Sequence, residues 1–230
     1  AAGVGVSVVS TAVAATGAAT GAGAAAMAVA ALAAYLLGSI SGSLWLGKLR
    51  GVDIRTQGSG NAGGTNAFRT QGAAFALGTV LIDIGKGVAA VALMRAAGGD
   101  ALAQMAAALL AAAGHVWPVF HGFRGGKGAA TLVGGLALLW PLALAPLFSV
   151  WLLVLMTTGY VGLSTVLAGL ALPLWALIEG REGAWLLFAV AGALLLAWTH
   201  RVNLQRLRAG TEHRFEKARV FARVLARRNG

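Results

Sequence analysis

Apolar stretches fill this chain at about 28–47, 73–96, 101–120, 129–142, 144–158, 160–178 and 184–200, and only short polar loops separate them. An α-helix needs roughly 20 apolar residues to cross the hydrocarbon core of a bilayer. Of 230 residues, 58% are hydrophobic and 11% are charged, whereas soluble domains carry about 25% charged residues. So few charges cannot clothe a water-soluble surface. The expected fold is all-α, a polytopic helical membrane protein with about seven transmembrane helices. The fourth and fifth stretches are short, with Pro141 and Pro146 marking the turn between them. They can be tilted, broken or partly re-entrant, provided that irregular backbone is covered by protein or lines a wet cavity.

Lys and Arg in short loops set the orientation. Lys48, Arg50, Arg55, Arg69, Arg124, Lys127 and a basic C-terminal tail fall on one side of a seven-span arrangement. The other side holds Arg95 and Arg181 beside Asp100, Glu179 and Glu182. The C-terminus is therefore expected in the cytoplasm and the N-terminus outside. Residues 1–26 contain only Ala, Gly, Val, Ser and Thr and are expected to be an apolar low-complexity extension. Residues 27–215 read as the membrane domain and 216–230 as a basic cytoplasmic tail. The net charge of +11 sits mostly in loops and tail. Membrane lipid headgroups and phosphate-bearing substrates are thus the expected partners, and nucleic acid is not. The chain has no cysteine, which excludes disulfides, thiol nucleophiles and zinc–cysteine sites.

Three polar islands interrupt the apolar pattern. The first is Gly58-Ser59-Gly60-Asn61-Ala62-Gly63-Gly64-Thr65-Asn66, ending at Arg69. Its glycines let backbone N–H groups approach an anion, and Arg69 adds a planar fork suited to phosphate. The bland alternative is a flexible loop. The second runs from Gly114-His115 to Arg124-Gly125-Gly126-Lys127-Gly128-Ala129-Ala130-Thr131. Glycines around one Lys at a helix start make a phosphate cradle; a basic loop held by anionic lipid is the alternative. A Walker loop would place Gly five positions before Gly126 and Ser or Thr after the Lys. Those places hold His121 and Gly128, so nucleotide hydrolysis is not supported.

The third island is Thr199-His200, Asn203, Arg206, Gly210-Thr211-Glu212 and Arg214, which alone reads first as a stop signal after a span. Within the second span, Asp83 and Lys86 share a helix face. They are either site groups or a mutual structural ion pair. His115 likewise reads as a site residue or a satisfied structural histidine. Trp45, Trp117, Trp140 and Trp198 lie near span ends as interface anchors.

These islands, in this order, resemble the bacterial acyl-phosphate:glycerol-3-phosphate acyltransferase family. The pieces that carry the resemblance are Gly38-Ser39-Ile40, Gly51-Val52-Asp53-Ile54-Arg55, Gly58 to Arg69, Asp83 with Lys86-Gly87, Gly114 to Thr131, and His200 to Arg214. The resemblance implies transfer of a fatty acyl chain from acyl phosphate to the 1-position of glycerol 3-phosphate, with no cofactor and no metal. It implies catalytic roles for Ser59, Arg69, Lys127, His200 and Asn203. Substrate binding falls to Gly58, Gly60, Asn61, Thr65, Asn66, His115, Gly125, Gly126, Gly128, Thr131 and Ser164, and structural roles fall to Glu212, Asp83 and Lys86. The implied mechanism is substrate-assisted, with the phosphate of glycerol 3-phosphate helping to remove the hydroxyl proton. Where the family often reads Arg-Tyr-Val-Ser, this chain has Gly159-Tyr160-Val161-Gly162. A transporter or channel for a phosphorylated anion is the competing reading. The one-sided placement of the islands speaks against it, because a transporter site belongs near the midplane.

Overall fold

A computed structural model of the chain describes residue 21 and residues 23–219, so most of the predicted extension and tail lies outside the described residues. Among the described residues the secondary structure is entirely helical. The helices are α1 (Gly23–Gly38), α2 (Gly42–Leu49), α3 (Gly64–Gln71), α4 (Ala73–Ala96) and α5 (Ala101–Val116). They continue as α6 (Ala129–Leu139), α7 (Leu144–Thr158), α8 (Val161–Ile178), α9 (Ala184–Thr199) and α10 (Arg201–Arg208).

Four helical stretches are long and apolar enough to cross a membrane by themselves: Ala73–Ala96, Ala101–His121, Pro141–Thr158 and Val161–Ile178. The pairs α1–α2 and α9–α10, each bent by 54°, bring the number to six if each pair is one span. The chain is a multi-pass membrane protein. The remaining apolar helix, α6, has 11 residues and is only about 16 Å long. The run expected at 129–142 stops at Trp140-Pro141, where a 3-10 turn leads into α7.

The first apolar run, expected as a span over 28–47, is broken at Ser39-Ile40-Ser41. The ion pair on α4 makes this break tolerable. Asp83 Oδ1 accepts from the Gly42 backbone N–H at 3.1 Å, and Lys86 Nζ donates to the Ile40 carbonyl at 2.9 Å. Backbone groups freed within an apolar bundle are thereby satisfied by protein rather than by water.

Small residues set the helix spacing, as expected where lipid offers no hydrophobic drive for helix association. A Cβ on Gly87 of α4 would stand 2.1 Å from the Thr131 carbonyl oxygen of α6, and one on Gly134 of α6 would stand 2.0 Å from that of Ile84. Gly38 of α1 and Gly114 of α5 interlock in the same way, against Ala111 and Tyr35. Helix α6 is thus wedged between α4 and α5, while α8 packs between α7 and α9. A buried core of Val91, Met105, Leu136, Trp140, Leu172 and Phe188 joins the two groups. None of the residues of α7 is fully buried.

Candidate active site

Two glycine-rich loops are folded onto one another by polar anchors. In the first, Asn66 is 1% exposed and spends its whole amide on the loop. Its Oδ1 accepts from Ser59 N at 2.9 Å, and its Nδ2 donates to the carbonyls of Ile54 at 3.1 Å and Gln57 at 3.0 Å. Gly58 adopts φ +56°, and a Cβ there would lie 2.4 Å from Asn66 Oδ1. Arg55 then ties this loop to the second. It chelates Asp53 and donates through Nη1 to the carbonyls of His121 at 3.0 Å and Arg124 at 3.2 Å.

The second loop returns on α5 through Gly126 N to the His115 carbonyl at 3.0 Å. A Cβ on Gly125 would stand 2.0 Å from that carbonyl oxygen, and one on Gly126 would stand 2.1 Å from His115 Nε2. These two glycines are required by close packing against His115. His115 is fixed from below by Lys86 Nζ at 2.7 Å, and Asp83 Oδ1 lies 3.0 Å from that ammonium and 3.4 Å from His115 Nδ1. Asp83 and Lys86 thus form an ion pair with three sets of contacts: to each other, to the backbone of the α1–α2 break and to His115.

Folded this way, the loops enclose a cavity of about 220 Å³. The five residues to which the resemblance gives catalytic roles, Ser59, Arg69, Lys127, His200 and Asn203, all line it. So do Asn61, Thr65, Asn66, Asp83, His115, Gly128 and Glu212. Three helix N-termini meet there: α3 through Gly64 and Thr65, α6 through Gly128 to Ala130, and α8 through Val161 and Gly162. None of the three has a side-chain cap. First-turn N–H groups without intrahelical partners and the positive ends of three helix dipoles thus face one space. Such a space is suited to anions.

The side chains reinforce that field. Lys127 Nζ donates to Asn203 Oδ1, and Asn203 Nδ2 donates to Glu212 Oε1 at 2.7 Å. Thr199 Oγ1 donates to the Lys127 carbonyl at 3.0 Å, fastening the end of α9 to the cradle. Burial pushes the Lys127 ammonium down to about 8; Glu212 opposes this, and Arg206 and Arg69 add to it. Burial also lowers Arg69 against the attraction of Glu212. His200 is buried, with Nδ1 at 2.8 Å from the Leu196 carbonyl. A carbonyl only accepts, so Nδ1 carries the proton and Nε2 is an acceptor when the ring is neutral.

Several expected ligand residues stand elsewhere. Thr131 is fully buried in the α4–α6 contact, outside the cavity wall. Ser164 is also outside the wall and donates to the Tyr160 carbonyl at 2.8 Å; its neighbour Thr165 lines the cavity instead. One helical position is 100° of rotation, which adjacency in sequence does not resolve. Gly58, Gly60, Gly125, Gly126 and Lys86 shape the loops from behind the wall. Sequence reasoning missed Trp151, whose Nε1 donates to Thr165 Oγ1 at 3.2 Å. Nothing in its apolar sequence surroundings marks it. Arg55 could have been found from its spacing to Asp53.

The two glycines that depart from the family pattern are both occupied by neighbours. A Cβ on Gly162 would meet Asn203 Cβ at 2.8 Å. Gly159, at φ +79°, lies under the side chains of Arg214 and Arg219.

A second, apolar cavity of about 510 Å³ adjoins the first and shares Val80, Ala129, Ala130, Trp151 and Thr165 with it. It runs between α4, α6, α7, α8 and α9 past Leu136, Leu147, Leu172 and Phe188.

Fold and site together define a helical membrane protein in which a polar, cationic, amide-lined chamber opens into an apolar groove. The family model described as glycerol-3-phosphate acyltransferase matches residues 28–210, and the chain belongs to that family. A glycerol-3-phosphate acyltransferase of Synechococcus sp. (strain JA-2-3B'a(2-13)) is 47% identical over 182 residues, 78% of this chain and 90% of the relative. One from Rubrobacter xylanophilus is 40% identical over 182 residues, 79% of this chain and 91% of the relative. Among solved structures, PlsY (YgiH), an integral membrane glycerol 3-phosphate acyltransferase, matches in its glycerol 3-phosphate form with TM-score 0.79 and 34% identity. That match covers 85% of this chain and 98% of PlsY. The lysophosphatidic acid form matches with TM-score 0.78.

Proposed function

We propose that this acyltransferase moves a fatty acyl group from acyl phosphate to the 1-position of glycerol 3-phosphate, releasing lysophosphatidic acid and phosphate in phospholipid biosynthesis. The observation that carries the reading is the junction between the two cavities. Arg69, Lys127 and uncapped helix N-termini suit the phosphates, and the apolar groove beginning at Val80, Ala130 and Trp151 suits the acyl tail. The scissile acyl carbon then lies where chamber and groove meet.

The glycerol hydroxyl oxygen attacks that carbon, the bond to the phosphate oxygen breaks, and the phosphate leaves with both electrons. The hydroxyl proton passes to a phosphate oxygen of glycerol 3-phosphate. Acyl phosphate is already activated, so the protein acts chiefly by holding two mutually repelling anions together and stabilising the oxyanion. Lys127 and Arg69 neutralise phosphate charge, and the first-turn N–H groups of α6 face the developing oxyanion. Ser59, Asn61 and Thr65 hydrogen-bond substrate oxygens, and His200 Nε2 accepts from a glycerol hydroxyl.

The remaining topology is part of the same reading: seven crossings with α6 as the short fourth, the N-terminus outside, and the chamber at the cytoplasmic face of a bacterial inner membrane. The excess of Lys and Arg among the loops at the chamber end supports it. Purified protein in detergent is expected to release phosphate from acyl phosphate only when glycerol 3-phosphate is present. Equal release with and without it, or transport of glycerol 3-phosphate by vesicles without acylation, would overturn the reading.

A further inference from the structure

Beyond the end of α10, residues 209–219 stay against the protein. The chain turns back across the chamber mouth, where Glu212 meets Asn203 and Phe215 N donates to the Gly159 carbonyl at 2.9 Å. Arg214 Nε donates to the Thr158 carbonyl at 2.9 Å, and its guanidinium lies 5.0 Å from the Tyr160 ring centroid. The Phe215 ring is set between His213, at 5.4 Å edge-on, and Phe68 of α3, at 6.2 Å. On this ring rests the guanidinium of Arg69, with Cζ 4.6 Å from the centroid.

Arg69 is otherwise lightly held. Its Nε is buried without a hydrogen-bond partner among the described residues. A guanidinium needs a support that fixes its plane without consuming its donors. An aromatic face does this, because the ring attracts the cation through its face while the N–H groups point outward along its edge. Those edge donors are the ones that fork onto phosphate.

We propose that Phe215 is a positioning residue for acyl transfer, with the segment His213–Phe215 as a strap that presents the Arg69 fork to substrate phosphate. The proposal rests on the reading of Arg69 as a phosphate ligand. It assigns to the C-terminal segment a part in substrate affinity that composition alone would describe as a basic stop signal. The hydrogen bond from Phe215 N to the α7–α8 turn makes that turn the strap's buckle. A side chain at Gly159 would have its Cβ 3.0 Å from both Arg214 Cγ and Arg219 Cγ.

The test is steady-state kinetics of the purified full chain at saturating acyl phosphate, with Tm recorded for every variant. Phe215→Ala and Phe215→Leu are expected to raise KM for glycerol 3-phosphate about three- to tenfold, with a smaller change in kcat. Phe215→Tyr or Phe215→Trp restores it, because the ring face returns. Arg69→Ala raises KM further, and Phe215→Ala adds nothing in that background. A Phe215→Leu enzyme with wild-type KM, or a full extra loss in the Arg69→Ala background, would overturn the positioning role while leaving Arg69 as a phosphate ligand. If Arg69→Ala itself leaves KM unchanged, the phosphate reading of Arg69 falls and the role of Phe215 falls with it.

Discussion

The two ends of the helical bundle are built from similar residues to opposite purposes. At the far end, Arg181 donates to Glu179 at 2.8 Å and rests against the edge-to-face pair Trp140 and Trp185, with Cζ 4.5 and 4.3 Å from their centroids. Glu179 also accepts from Trp140 Nε1 at 2.9 Å. Arg95 there donates to Gln104 and to the Leu138 carbonyl, and Asp100 caps the start of α5. These donors are spent on the protein itself. At the chamber end, the starts of α3, α6 and α8 converge on one cavity, which Lys127 and Arg69 also line. A charge serves binding only if folding leaves part of its capacity unspent.

The strongest way to break this comparison is to remove one cation from each end. Lys127→Ala is expected to lower kcat/KM for glycerol 3-phosphate by about 10²- to 10³-fold, in the range of a lost transition-state donor. Arg181→Ala should leave kcat/KM within about twofold. Phosphate-release assays on both variants decide it, and comparable losses would dissolve the distinction between the ends. Next in size is a glycine pair. Gly126→Ala forces a Cβ to 2.1 Å from His115 Nε2 and is expected to cost most of the activity, whereas Gly180→Ala meets nothing within 4 Å. The latter should cost only about 1 kcal/mol for its left-handed backbone, read as a small drop in Tm with normal kinetics.

Gly162→Ala sharpens the comparison further. Its Cβ would press on Asn203 at 2.8 Å, and Asn203 is the partner of Lys127. We expect KM for glycerol 3-phosphate to rise about tenfold, the equivalent of one misplaced hydrogen bond.

The smallest effect is in pH. Lys127 titrates near 8 because it is buried. A depressed lysine is charged below that value and neutral above it. Anion binding needs the charged form, so kcat/KM is expected to fall as pH rises through about 8, up to tenfold per unit above it. Bound phosphate favours the ammonium, so the limb in kcat should lie higher than the one in kcat/KM. The Lys127→Ala enzyme should lack this limb in kcat/KM, and its persistence would assign the titration to another group.

Much of the site was legible because membrane sequences expose function by contrast. Ser59, Arg69, Lys127 and His200 stand in polar islands between apolar runs, where charge or irregular backbone has no cheap reason to exist. The position of an isolated polar or aromatic residue on a buried face was not legible. Ser164 and Thr165 were interchangeable on paper, and Trp151 had no mark at all. Asn66 was readable as important but not as wholly committed to its own loop. The break inside the first span was hidden for a related reason. The run over 28–47 reads as one span, and the break at Ser39–Ser41 is tolerated because Asp83 and Lys86, over forty residues later, satisfy the freed backbone.

Residue order and composition suffice to make this chain helical and bilayer-borne, to gather its cations at one end and to let two glycine-rich loops embrace anions. Those are consequences of composition and local backbone freedom, which act over a few residues. Tertiary structure alone decided that three helix N-termini converge, that the chamber meets an apolar groove, and that Phe215 supports Arg69 from 146 positions away. Convergence of that kind depends on which helix faces touch. That is set by the fit of small residues such as Gly87 and Gly134 against a neighbour's backbone, and no local pattern encodes it.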